Sequence, residues 1–185
     1  TLRLEGEGEV EAAGTERVLV LDAERASYTF VDVDAEPVPS LLRGFSAPVL
    51  LDAHLDDAAL LVLLAHDGDP FNRWEAGQQL ALRRLLAAVH QGGTVTLDAT
   101  YVEAMRRLLR DPALDPAFKE LALTLPSESY ISEQLGRDID PQRVHVVRES
   151  MRCQLARELH ADWIWAFESH QPAGGYRPDA RGSGQ

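Results

Sequence analysis

"HDGDPFNRWEAGQQL" (His66–Leu80) holds a histidine, two aspartates, a glutamate, an arginine and a tryptophan within fifteen residues. Such a stretch is either a reaction centre or the start of a helix. Asp69 has the chemistry of an N-cap, because its carboxylate accepts hydrogen bonds from the free amides of a first turn. Pro70 fits the first helical position, where the missing N–H had no partner to lose. Glu75 suits the electropositive early turns. Phe71 and Trp74, three apart, share one helical face and are expected in the core. Arg73 and Glu75 are two apart, do not face each other, and are expected to bond elsewhere. The reaction-centre reading would need converging metal ligands or an acid–base pair. His66, Asp67 and Asp69 are the only candidates, and three polar residues in a turn are ordinarily just hydrated. The stretch reads as a helix start.

On the N-terminal side the pattern is that of strands. "RVLVLDA" (Arg17–Ala23) and "SYTFVDVD" (Ser27–Asp34) are rich in Val, Leu, Tyr and Phe, and the second approaches the two-residue alternation of a half-buried strand. "TLRLEGEGEVE" (Thr1–Glu11) alternates more weakly. Pro37, Pro39 and Pro48 then punctuate a connector that proline holds extended. Three or four strands are few for a sandwich of about seven, so this part reads as half of a β domain. The period changes from β to α between Ala53 and Asp57. Leu41, Leu42 and Phe45 of the connector are expected to be buried, and Arg43 to hydrogen-bond across the junction.

On the C-terminal side the period is helical throughout. "DDAALLVLLAHD" is short and very apolar. Leu82, Leu85, Leu86 and Val89 give the next helix a broad apolar face, which Gly92–Gly93 ends. "DATYVEAMRRLLRD", "DPAFKELALTL" and "SESYISEQLG" follow, and a long helix is predicted from Pro141 to about Ser169 on the stripe Val144, Val147, Met151, Leu155, Leu159 and Ile164. Asp-Pro occurs at 69–70, 111–112, 115–116 and 140–141, each pair read as a helix start. The fold class is therefore α+β: a partial β-sandwich followed by an α-helical solenoid-like array or irregular bundle.

Composition narrows the function classes. With 30 acidic against 18 basic residues, the formal net charge is −12, which argues against nucleic acid, since phosphate binding needs Lys and Arg. Cys153 is the single cysteine, lies inside a predicted helix, and reads as a structural thiol of a reducing compartment. Thr1 to Gly14 is glutamate-rich without an apolar core, so no signal peptide is read there. The longest apolar run, Ala58 to Ala65, is far below the ~20 residues of a membrane span. The expected location is the cytoplasm.

Known catalytic patterns are missing from the 185 residues. Histidines 54, 66, 90, 145, 160 and 170 are never four apart and never followed by Glu, so H-E-x-x-H is absent. "GEGEVE" lacks the third glycine and the following helix of a phosphate loop. There is no G-x-S-x-G, and the serines of "LPSESYISEQL" read as helix caps. No catalytic, cofactor-binding or metal-ligating residue is assigned.

Three stretches carry a family resemblance: "PVPSLLRGFSAPV" (Pro37–Val49), "DPFNRWEAGQ" (Asp69–Gln78) and "LTLPSESYISEQL" (Leu123–Leu135). In this order and at about this spacing they resemble landmarks of the bacterial aminopeptidase N family, zinc-dependent alanyl aminopeptidases, and the likeness extends from Phe30 to about Tyr176. It implies a four-part parent with an N-terminal β domain, a thermolysin-like catalytic domain, a small β-sandwich and a C-terminal helical domain. This chain resembles the later part of the sandwich (1–53), the first part of the helical domain (54–170) and a flexible tail (171–185). The family's zinc ligands and amine-anchoring motif belong to the catalytic domain, so no cofactor is expected here and zinc is expected in the parent.

Two functions follow. The first is a non-catalytic part of an enzyme that removes N-terminal amino acids from peptides, joined to a helical domain that covers the active-site chamber. Its partners would be the parent's remaining domains and, through the parent, its peptide substrates, with self-association of the chain by itself as a further expectation. The alternative is a free-standing helical adaptor for a partner peptide or protein. Neither nucleic acid nor membrane is expected as a partner.

Overall fold

Among the described residues, six of the seven α-helices open on a short polar side chain that accepts a hydrogen bond from a first-turn amide. In this computed structural model, residues 3–5, 14–137, 139–171 and 174 are described. They form strands β1 (Arg3–Leu4) and β2 (Phe30–Val31), a 3-10 turn (Arg43–Phe45), and helices α1 (Asp57–His66), α2 (Pro70–Gln91), α3 (Ala99–Arg110), α4 (Pro116–Leu123), α5 (Glu128–Leu135), α6 (Pro141–Glu158) and α7 (His160–Ser169). The caps are Asp56, Asp69, Asp98, Asp115, Ser127 and Asp140. Three of the four Asp-Pro pairs start helices as expected. The fourth does not: Asp111 ends α3, and its Oδ1 accepts from Ala113 N at 2.9 Å in the turn before α4. Only two residues separate Pro112 from the next capping pair at Asp115–Pro116, which leaves no length for a helix.

The chain divides into two compact units, Thr1–Pro39 and Ser40–Gln185. In the first, β1 and β2 pair antiparallel with Arg3 opposite Val31 and Leu4 opposite Phe30. The strands expected over Arg17–Ala23 and most of Ser27–Asp34 are absent among the described residues. Val18, Val20 and Leu21 are exposed, and no ladder reaches them. Apolar alternation creates a strand only where a neighbour supplies hydrogen bonds. Of the Thr1–Glu11 stretch only Arg3–Glu5 are described, and the tail 171–185 lies outside the described residues apart from Gln171 and Gly174.

In the second unit α2 is the central element, in contact with α1, α4, α5 and α6, while α3 packs on α1, α4 and α7. The core is drawn from Leu60, Leu64, Leu80, Leu85, Tyr101, Met105, Ile131, Val144, Val147, Met151 and Leu159, each at most 2% exposed. Small residues on α2 permit this close approach: a Cβ on Gly77 would meet Leu64 Cδ1 at 3.4 Å and the Ala122 carbonyl at 3.8 Å. Gly92 ends α2 in the left-handed conformation (φ 69°) that glycine adopts without strain.

The single long helix expected from Pro141 to Ser169 is two helices. Leu159 leaves helical geometry (φ −106°, ψ 18°) while remaining fully buried. The apolar stripe continues through Leu159, but Ile164 is exposed. The break instead turns Asp162 towards α3. Asp162 accepts hydrogen bonds from Arg110 Nε at 2.6 Å and Arg106 Nε at 3.0 Å, and the Arg110 guanidinium lies 4.6 Å from the Trp165 ring centroid. Buried polar pairing has outweighed continuity of the helix.

Burial works to raise the Asp162 carboxyl, but the hydrogen bonds and charges of Arg110 and Arg106 outweigh it and hold it below the ordinary carboxylate range. A carboxylate lowered in the folded state stabilises the fold above its unfolded value, and that contribution disappears as pH falls through the lowered one. Asp162→Asn is therefore expected to cost about 2 kcal/mol at neutral pH, as for hydrogen bonds to a charged group, and to lose less stability than the parent protein on acidification. Urea melts of both proteins at neutral and acid pH measure this.

Candidate functional site

The helix start at Asp69 is also the anchor of the connector. Asp67 ends α1 with its side chain fully inaccessible, and its Oδ1 accepts from the Arg43 guanidinium and from Asp69 N at 2.8 Å. Asp69 Oδ1 caps α2 through Phe71 N (2.9 Å) and Asn72 N (3.1 Å), while its Oδ2 accepts from Gly44 N at 2.9 Å. Asn72 Nδ2 donates to Ser40 Oγ at 2.9 Å and to Leu41 O at 3.0 Å, and Arg43 Nη1 donates to the same Ser40 Oγ at 2.9 Å. Residues 40–44 are thus held on the α1–α2 turn by side chains from both sides. Burial works to raise the Asp69 carboxyl, yet the amides of Gly44, Asn72 and Phe71 and the charge of Arg43 hold it below the usual range.

Several expectations for this region need correction. Arg43 does bond across sequence, to Asp67. Leu41 and Phe45 are exposed, Phe45 by 73%, and Leu42 is only half-buried. The connector is not extended through this part, because Leu42 (φ 53°), Gly44 (φ 62°) and Phe45 (φ 56°) take the left-handed region. The polar anchor sets that path, and it turns the apolar side chains outward. Phe71 is 40% exposed and Trp74 half-buried, so neither is core. Phe71 instead stacks between Phe45 and Trp74, with ring centroids 4.6 and 5.6 Å away. Arg73 bonds outside its own helix, its Nε donating to Leu64 O at 2.9 Å, whereas Glu75 stays within α2 and accepts from Gln79 at 3.0 Å. Cys153 is exposed on α6, contrary to a structural thiol, because α6 buries only the stripe of Val144, Val147, Met151 and Leu155.

The histidines do not converge. His66 is exposed beside a cavity of about 600 Å³ that Arg73, Glu103, Arg107 and Asp111 also line. His54 pairs with Asp52 at 3.0 Å, His145 with Glu128 at 2.8 Å, and His170 Nδ1 with Ala166 O at 2.7 Å. Among the described residues no three His, Cys, Asp or Glu side chains are grouped to hold a metal ion. Among the described residues no helix is long and apolar enough to cross a membrane.

Polar roles that a linear reading does not reveal lie at helix C-termini and in the loop between α4 and α5. Gln78, buried on α2, donates to Thr124 O at 2.8 Å, Arg143 to Ala88 O at 3.0 Å, and Arg148 to Pro126 O at 2.8 Å. Lys119, the only lysine, is 4% exposed and 5.9 Å from the Trp165 ring. Burial pulls its ammonium below the usual lysine range, and Asp111 partly offsets this. Their signal would be a long polar residue within an apolar stripe, which for Gln78 is visible in "AGQQLAL".

Truncating Arg43 would leave the Asp67 carboxylate buried without its counter-charge. Arg43→Ala is expected to cost about 3–5 kcal/mol, as for other broken buried pairs. Asp69→Ala removes a cap and one connector contact, and should cost about 1–2 kcal/mol. Chemical denaturation with both substitutions, singly and together, checks the order and the coupling between them.

Comparison with known proteins places this geometry in a family. Residues 57–185 match a domain of unknown function described as ARM repeats (DUF3458_C), and residues 3–54 match a domain of unknown function described as having an Ig-like fold (DUF3458). The chain is 37% identical over 142 residues to aminopeptidase N of Caulobacter vibrioides, covering 77% of this chain and 16% of the relative. It is 37% identical over 163 residues to aminopeptidase N of Escherichia coli, covering 85% and 18%. The crystal structure of Legionella pneumophila aminopeptidase A in complex with aspartic acid superposes with a TM-score of 0.66 at 27% identity, over 83% of this chain and 19% of that one. The chain thus spans under one fifth of the length of these relatives. With an Ig-like segment followed by an ARM-repeat segment, and the Asp69–Gln78 motif seated at the first turn between helices, this chain belongs to the aminopeptidase N family.

Proposed function

We propose that this chain is the non-catalytic segment of a zinc-dependent aminopeptidase that joins the small β-sandwich to the helical domain over the active-site chamber. Residues 1–53 would complete part of the sandwich, residues 54–170 would begin the helical domain, and residues 171–185 would lead onward from it. The observation that carries the reading is the anchor of Arg43, Asp67, Asp69 and Asn72. It is built from two of the stretches that resemble the family, and it ties the segment before the first helix to the turn between α1 and α2. These contacts lie within the second unit and fix the path by which the chain enters the helical array.

Zinc, where the parent binds it, polarises the peptide carbonyl and lowers the pKa of water. Its ligands would come from the catalytic domain, since H-E-x-x-H is absent from the sequence. This chain's own residues would shape the chamber and bar folded proteins from it. A cytoplasmic location fits the reading.

The 185-residue chain is expected to release no product from alanyl or leucyl anilides and to hold no stoichiometric zinc. The longer protein from the same reading frame is expected to do both and to lose turnover to chelators. Elemental analysis and anilide assays of the two proteins test this. One tightly held zinc per 185-residue chain with chelator-sensitive turnover, or a reading frame limited to these residues, would overturn the proposal.

A further inference from the structure

The Lys119 amine has no use in the fold described so far. Lys119 is the only lysine of the sequence, every other basic side chain being arginine or histidine. It is 4% exposed on α4, and among the described residues its ammonium makes no hydrogen bond and no ion pair. The Trp165 ring lies 5.9 Å away, but Arg110 meets that ring more closely, at 4.6 Å. The Asp162 carboxylate is already taken by Arg110 and Arg106. Burial pulls the Lys119 ammonium below the usual lysine range, and Asp111 only partly offsets it. A buried cation without a carboxylate partner favours its neutral form, and the neutral amine is a nucleophile.

The amine also lies where a reactant can reach it. Lys119 lines an open cavity of about 580 Å³ among α3, α4 and α7, a size typical of small-molecule sites. Leu109, Leu123, Trp163 and Phe167 give the cavity an apolar lining, and His170 lines it too. His170 Nδ1 donates to Ala166 O at 2.7 Å, so Nε2 of the neutral imidazole is the proton acceptor. Glu120 also lines the cavity and opposes an anionic occupant, whereas a neutral carbonyl compound meets no such repulsion. We propose that Lys119 is a covalent site for a neutral aldehyde with an apolar body, held as an imine. His170 Nε2 is the group in the cavity that takes the third proton of the ammonium. The Nζ lone pair then forms the C–N bond while the carbonyl π pair moves to oxygen. Both remaining N–H protons leave with that oxygen as water, so no oxidant or reductant is needed. The proposal stands on this cavity and does not depend on the aminopeptidase reading.

Benzaldehyde with cyanoborohydride, which reduces an imine to a stable secondary amine, tests this at neutral pH. Peptide mapping by mass spectrometry separates Lys119 from the N-terminal amine, since the chain has no other lysine. Lys119 is expected to be labelled roughly tenfold faster in the folded chain than in guanidinium chloride, at a rate that saturates with benzaldehyde as a bound reactant requires. Phe167→Ala alters a side chain that is 71% exposed and outside the core. That variant should keep its circular dichroism and need severalfold more benzaldehyde for half-saturation. A folded-state rate no higher than the unfolded one, or one that rises linearly with aldehyde, would overturn the proposal. An unchanged half-saturation in Phe167→Ala would do the same, by placing the reaction outside this cavity. In the longer protein from the same reading frame the Lys119 peptide is expected to be labelled likewise. Its protection there would show the cavity filled by the rest of the polypeptide, and the site would be rejected.

Discussion

The Asp67 carboxylate governs the local architecture of this protein. It is fully inaccessible, sits where α1 stops, and accepts from Arg43 of the connector and from the amide of Asp69. Burying a charge is costly unless it is paired and hydrogen-bonded. Any path of the connector that withdrew Arg43 would therefore strand a carboxylate in the interior. The penalty is large enough to hold Leu42 and Phe45 in left-handed conformations and to leave Phe45 in solvent.

The helices obey a division of labour between local and distant polar groups. Each of the first six starts on a cap only two or three residues before the amides it satisfies. Their C-terminal carbonyls are served from afar. Arg73 reaches Leu64 O at the end of α1, Arg143 reaches Ala88 O in the last turn of α2, and Gln78 reaches Thr124 O after α4. Both ends of a helix leave orphan groups, so the second device fastens helices to one another as it satisfies them. Arg84 does the same at N-termini, pairing with Asp57 of α1 at 3.0 Å and Asp98 of α3 at 2.6 Å. Much of the acidic and arginine content is thereby committed to architecture.

What was legible in the sequence is what depends on near neighbours. Asp69–Pro70, Asp115–Pro116 and Asp140–Pro141 start helices because the cap, the proline and the amides lie within one turn. Gly92 ends α2 because glycine alone takes its conformation freely, and the stripe from Val144 to Leu159 is buried because its period is that of a helix. The three stretches from Pro37 to Leu135 were enough to indicate the family. Tertiary structure decided the rest. Arg17–Ala23 has the composition of a strand, but a strand is a pairing and its partner is not specified by its own residues. The break at Leu159 follows from Arg106 and Arg110, more than fifty residues before Asp162. The aromatic residues of the opening stretch share a helical face as their spacing requires, yet only the anchor on Asp67 determines that this face meets Phe45 and solvent. Local geometry is written in spacing, whereas burial depends on which distant charge must be neutralised.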